Sequence, residues 1–213
     1  MPETKRSGSL RKLLIVVVVL VVLGFLFVYS LETSRSEPYT VQRAHLETWT
    51  LTLEAGGGKD APLLSVRTRG ELVSNLFRQV FQRVMESMTA SQEAAIPIVL
   101  RGEFETALSG SMTPDDLLAA AREARLESER HELRCLAHRR ISEPRNVRQV
   151  YFVVVDSPAI VAFRQRLAER AAGAFDPAAL TPIMFVGSTH TPFERWLPIR
   201  VGESECVAPI RVE

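Results

Sequence analysis

Residues 182–187 read Pro-Ile-Met-Phe-Val-Gly, and residues 97–102 repeat the pattern as Pro-Ile-Val-Leu-Arg-Gly. Each segment is a short apolar run of the kind that forms a buried strand. Two such strands in one small domain indicate an internal duplication, in which equivalent strands face each other across a cleft. Neither run carries a side chain suited to catalysis, so the pattern predicts an architecture more directly than a reaction.

Strand and helix patterns next to the two segments complete two similar units. Apolar residues recur at helical spacing over residues 70–88 and again over 158–172. The predicted strand, helix and strand of each unit are 63–66, 70–88 and 96–101 in the first half and 147–155, 158–172 and 182–187 in the second. The sequence therefore predicts an α+β domain over residues 39–213, built as two related β-α-β lobes.

An apolar run precedes this domain. Residues 13–31 contain no charged side chain, and only Ser30 is clearly polar. As a helix the run would span about 28 Å, close to the roughly 30 Å hydrocarbon core of a bilayer. A signal peptide has a shorter apolar region and ends at a small-x-small cleavage site, which is missing here. The run therefore predicts a retained transmembrane helix, with the lipid bilayer as its partner.

The flanking charges predict an orientation for this helix. Residues 1–12 form a basic tail with four cations and one acid, and residues 32–38 form a polar linker. The positive-inside rule then places the N-terminus in the cytoplasm and the C-terminal domain outside it, in the periplasm if the protein is bacterial.

The charge balance argues against nucleic acid as a partner. The chain has a formal net charge of +1, and the part after the apolar run is slightly acidic. One local cluster of arginines marks the predicted hairpin at 131–155, where it forms either a solvated basic edge or a contact for a small anionic ligand. Its members are Arg134, Arg139, Arg140, Arg145 and Arg148.

Cys135 and Cys206 are the two cysteines of the chain. Outside the cytoplasm a disulfide between them is permitted, whereas two buried free thiols are the alternative. The sequence leaves both possibilities open.

The order of these elements resembles that of the 2H phosphoesterases, a family that includes LigT-like and Swiss Army Knife 2H domains. That family has two lobes, each with a His-x-Thr or His-x-Ser motif on its central strand. The first half is similar through Ile96–Phe104 (IPIVLRGEF), which ends in a Gly-Glu-hydrophobic element. The second half is similar through Phe175, Pro182 and Gly187.

The resemblance implies two imidazoles that act as acid and base on a 2′,3′-cyclic or 2′–5′ phosphodiester. The matching positions here are Pro97 and Val99 in the first half and Ile183 and Phe185 in the second. None of these side chains transfers a proton. The resemblance therefore implies a domain that has lost catalysis and serves as a binding module, for an envelope protein or a small ligand.

The alternative is a membrane-anchored phosphodiesterase that uses other residues. His190 follows the second strand directly and is the candidate substitute for a missing imidazole. A second imidazole would have to come from His45, His131 or His138. The spacing His131-x3-Cys135-x2-His138 suits zinc on a helix, but these residues are predicted to lie on a strand, so no metal site is expected. No phosphate loop or other cofactor motif is present, and no cofactor is predicted.

Overall fold

The structure is a computed structural model. It describes residues 6–84, 86–142, 147–189, 200–202 and 205–213. The chain divides into two compact units, Met1–Glu37 and Pro38–Glu213.

The first unit contains one helix, α1, over Arg6–Ser36. Its large apolar side chains between Leu14 and Tyr29 are each 49–71% exposed. Across the described residues, no helix combines the length and the apolar character that crossing a membrane requires.

The prediction of a transmembrane signal anchor over residues 13–31 is therefore wrong. The sequence estimate rested on the absence of charge from residues 13–31, whereas a membrane span needs sufficient length and apolar character together in one helix. The single-pass topology rested on that helix, as did the cytoplasmic N-terminus and the location of residues 32–213 outside the cytoplasm. The single-pass topology is wrong with it, and the two statements of location lose the helix on which they rested.

The second unit contains two sheets and confirms the α+β class. A three-stranded antiparallel sheet has the order β2-β3-β5, with β2 at Thr50–Leu53, β3 at Pro62–Thr68 and β5 at Ala94–Leu100. A six-stranded sheet has the order β1-β9-β6-β7-β8-β4, and only its β1/β9 pair is parallel. Its strands are β1 Tyr39–Val41, β4 Met88–Ala90, β6 Glu132–Ser142, β7 Val147–Asp156, β8 Ile183–Thr189 and β9 Cys206–Val212.

Helices pack against both sheets. Helix α2 (Gly70–Val84) contacts β1, β4, β5 and β8, whereas α4 (Pro114–Glu123) contacts β2 and β3, and α5 (Pro158–Arg170) contacts β5. A short α3 at Arg101–Glu103 continues as a π-helical turn over Phe104–Leu108. The amphipathic pattern of α2 explains its position, because Leu72, Val73, Leu76 and Val80 are all buried in the core.

Each half contains three strands and one helix, and the middle strand of each half pairs with the other two. In the first half β3 pairs with β2 and β5, and in the second half β7 pairs with β6 and β8, all antiparallel. In the second half α5 connects β7 directly to β8, whereas in the first half the short strand β4 lies between α2 and β5. Strands β5 and β8, which carry the repeated pattern, lie beside each other.

The short strand β4 is absent from the sequence prediction, which continues the preceding helix to residue 88. In the structure α2 ends at Val84, and β4 pairs with Gly187–Thr189 of β8. The partner strand lies about a hundred residues further along the chain, so local periodicity contains no signal for this pairing.

The two glycines of the repeated pattern, Gly102 and Gly187, allow close approaches to different parts of the fold. Gly187 lies in β8, where an added Cβ would be 2.9 Å from the Phe77 ring and 3.0 Å from the Thr89 carbonyl oxygen. Gly102 lies in α3, where a Cβ would be 3.0 Å from the Lys59 carbonyl oxygen. Both positions need the small residue for a close approach, but they are not structurally equivalent.

A disulfide joins Cys135 of β6 to Cys206 at the start of β9, with 5.7 Å between the Cα atoms. The structure therefore decides between the two possibilities that the sequence leaves open, in favour of the disulfide. The bond fixes the C-terminal strand to the middle of the six-stranded sheet. Cys135 packs in a small apolar cluster that also contains Phe152, Ile183 and Phe185.

A buried ion pair connects the end of β5 to α5. Arg164 donates to both carboxylate oxygens of Glu103, at 2.7 and 3.2 Å, and to the Ile98 carbonyl at 2.6 Å. Its two other N–H groups bind the carbonyls of Asp176 and Pro177, each at 2.9 Å. All five donors of the guanidinium are therefore satisfied, although its side chain is only 1% exposed.

Candidate functional site

The four positions that match the family motif are buried. Val99 and Ile183 are 0% exposed, Phe185 is 1% exposed, and Pro97 is also buried. Ile183 and Phe185 pack with Phe152 in the apolar cluster next to the disulfide. At these positions the two central strands supply apolar packing and no proton donor or acceptor from a side chain.

His190, the candidate substitute for a motif histidine, lies outside the described residues. The three other histidines are described, and two of them make defined contacts. His138 binds the Gln149 side-chain oxygen through Nε2 at 2.9 Å, and its ring lies 4.8 Å from that of Tyr151. His45 is 9% exposed.

His131 occupies a buried site at the start of β6. Its Nε2 lies 2.9 Å from the Leu126 carbonyl, which can only accept, so Nε2 carries the proton. Nδ1 then accepts from the Ser157 hydroxyl at 2.9 Å. Ser157 in turn accepts from the Ile160 N–H at 3.4 Å and caps α5. Both ring nitrogens are thus used within the fold, which gives this histidine a structural role.

The residues His131, Cys135 and His138, whose spacing would suit zinc on a helix, are not arranged as a set of metal ligands. The sulfur of Cys135 is bonded to Cys206 and offers no thiolate. Within the described part of the chain, no group of three or more histidine, cysteine or acidic side chains is arranged to hold a metal ion.

Burial lowers the pKa of His131 below its usual value near 6.5, and the Leu126 hydrogen bond and the Glu129 carboxylate oppose this only in part. The folded protein therefore binds the proton more weakly than the unfolded chain. We expect the free energy of unfolding to fall as the pH drops from about 6.5 through the lower pKa of the folded state. Urea denaturation at several pH values would measure this.

The matched variant for this prediction is His131→Gln, which cannot acquire the same charge. The stability difference between the original protein and this variant should shrink as the pH falls through that window. A difference that stays constant from neutral to acidic pH would contradict the assignment of the pH dependence to His131.

A cavity of about 390 Å³ lies between the 3₁₀ helix at Arg43–His45 and the start of β6. Its apolar and aromatic lining consists of Leu46, Trp49, Leu133, Val212 and the His131 ring. The ring centroids of Trp49 and His131 are 4.8 Å apart in an edge-to-face arrangement. Charged side chains complete the lining, namely Arg43, Glu47, Glu129, Arg130 and Glu132.

The arginine cluster of the β6–β7 hairpin is partly neutralised. Arg139 forms an ion pair with Glu205, and its hydrogen bonds lower the pKa of that carboxyl. Arg134 and Arg140 are exposed, and Arg145 lies outside the described residues. This distribution is that of a solvated edge, and an anionic ligand at this hairpin stays a prediction.

Comparisons with known proteins give no further constraint. No family model, no curated protein and no solved structure matches this chain. The resemblance to the 2H phosphoesterases rests on the quoted segments alone and stays a prediction.

Sequence reasoning missed the cavity beside Trp49. One signal is visible in the sequence, since Trp49 alternates with threonines on a strand-like segment. Nothing in the sequence indicates that Trp49 meets His131, because the two are more than eighty residues apart.

Proposed function

We propose that residues 38–213 form a non-catalytic binding domain whose architecture is that of a degenerate 2H phosphoesterase. The observation that supports this most directly is the burial of Pro97, Val99, Ile183 and Phe185, the positions that would carry the two catalytic motifs. General acid–base catalysis needs a group that exchanges a proton within hydrogen-bond reach of the substrate. Apolar side chains in a closed core meet neither requirement.

Two features of the described histidines support the same proposal. The His131 imidazole is buried and uses both nitrogens for structural hydrogen bonds. His138, further along β6, contacts Gln149 and Tyr151 of β7. Neither side chain lies on the two strands that would have to act together on a phosphodiester.

The test is hydrolysis of 2′,3′-cyclic nucleotides and 2′–5′-linked dinucleotides by the purified full-length protein. We expect no turnover above the rate in buffer, because each missing acid or base would contribute roughly 10²–10⁴-fold. A protein with turnover that survives stringent purification and disappears in the His190→Ala variant would be an enzyme, and the proposal would be wrong.

A further inference from the structure

The cavity beside Trp49 has the properties of a small-molecule site. Its volume of about 390 Å³ lies in the usual range of roughly 300–1,000 Å³ for such sites. Trp49 is only 8% exposed and lines the cavity, and its indole N–H makes no hydrogen bond within the described part of the chain. The indole nitrogen is not closed off by protein atoms, so its N–H is open to an acceptor that a ligand in the cavity can supply.

The charges around the cavity favour a cation. Arg130 and Glu132 pair with each other through a contact of 2.9 Å. Glu47 and Glu129 form no ion pair within the described residues, whereas Arg43 is the remaining cation of the lining. The local balance is therefore negative, and a positively charged group entering the cavity meets two carboxylates and an aromatic side chain.

We propose that this cavity binds a primary ammonium group that has a carbonyl beside it and an apolar side chain. Glu47 and Glu129 hold the ammonium, the carbonyl accepts the Trp49 indole N–H, and the apolar part packs on Leu46 and Leu133. This is the chemistry of a peptide N-terminus and of a free amino acid. A free amino acid also presents a carboxylate, for which Arg43 is the available partner. The inference rests on the proposed function as a binding domain.

Isothermal titration calorimetry of the full-length protein with leucyl-leucinamide tests the proposal. We expect saturable binding by this dipeptide amide and none by its N-acetyl derivative, which has the same shape but no ammonium. Free leucine distinguishes the two sources of the ligand. If the site serves amino acids, leucine binds more tightly than leucyl-leucinamide, and Arg43→Gln removes that advantage. If it serves peptides, leucyl-leucinamide binds more tightly and Arg43→Gln has little effect.

The variants Glu47→Gln and Glu129→Gln test the carboxylates. Both residues are exposed, so their replacement leaves the fold intact, and each change should weaken binding about tenfold. Trp49→Phe keeps the aromatic ring and removes the N–H, and should also weaken binding. The matched control is Glu105→Gln, an exposed acid outside the cavity, which should bind as the original protein does.

Equal binding of the acetylated dipeptide would overturn the proposal, as would equal affinity of the Glu129→Gln variant and the control. The same samples are assayed for hydrolysis of 2′,3′-cyclic AMP. Absence of binding without turnover overturns the ligand assignment alone. Turnover overturns the proposed function, whether or not the amine binds.

Discussion

Replacement of Arg164 by Met is expected to lower the free energy of unfolding by about 3–5 kcal/mol, measured by urea denaturation. Arg164 is 1% exposed, and its partner Glu103 is 16% exposed. The methionine keeps most of the apolar stem but removes all five donors. Glu103 would then lie largely buried without its cation, and the Ile98 carbonyl would lose its hydrogen bond from the guanidinium.

Two further variants separate the lost ion pair from a general effect of the substitution. Arg170→Met changes an exposed arginine on the same helix, and its effect should stay within about 0.5 kcal/mol. The double variant Arg164→Met with Glu103→Gln leaves no unpaired charge, so it should be more stable than Arg164→Met alone. Equal losses for Arg164→Met and Arg170→Met would show that the buried pair does not stabilise the fold.

Removal of the disulfide is expected to cost about 4 kcal/mol. Cys135 and Cys206 are 71 residues apart in sequence, and closing a loop of this length restricts the unfolded chain by about that amount in the chain-entropy model. The double variant Cys135→Ala with Cys206→Ala should therefore unfold at a lower urea concentration than the oxidised protein.

The reduced original protein provides the internal control. Reductant should destabilise the original protein by a similar amount, and should leave the double alanine variant unchanged. A reduced protein as stable as the oxidised one would mean that the cross-link adds nothing to the stability of the folded state.

Several parts of the fold could be predicted from the sequence because their signals are local. The run Thr113-Pro114-Asp115-Asp116 indicates a helix start in the sequence. The structure confirms it, since the Asp116 N–H donates to the Thr113 hydroxyl at 3.2 Å and the Thr113 N–H donates to the Asp116 carboxylate at 2.9 Å. The amphipathic face of α2 is confirmed for the same reason. The alternating pattern indicates one strand over residues 39–54, and the structure divides it into β1, a 3₁₀ turn and β2. Each depends on residues within one or two turns or on neighbouring positions of one strand.

The candidate site could be predicted only in part. The sequence shows that Pro97, Val99, Ile183 and Phe185 cannot transfer protons, and the structure adds that they are buried. The sequence does not show the cavity, because Glu47 and Trp49 come from the first half of the domain and Glu129 and His131 come from the second. Only the packing of the two halves brings them together.

The sequence by itself determined the class of the domain, the positions of most helices and strands, and the absence of acid–base chemistry at the repeated pattern. These follow from side-chain periodicity, capping and the chemistry of single residues. Tertiary structure alone decided the pairing of β4 with β8, the bond between Cys135 and Cys206, and the burial of Arg164 against Glu103. Each of these joins residues more than sixty positions apart, and which distant partners meet depends on how the whole chain packs.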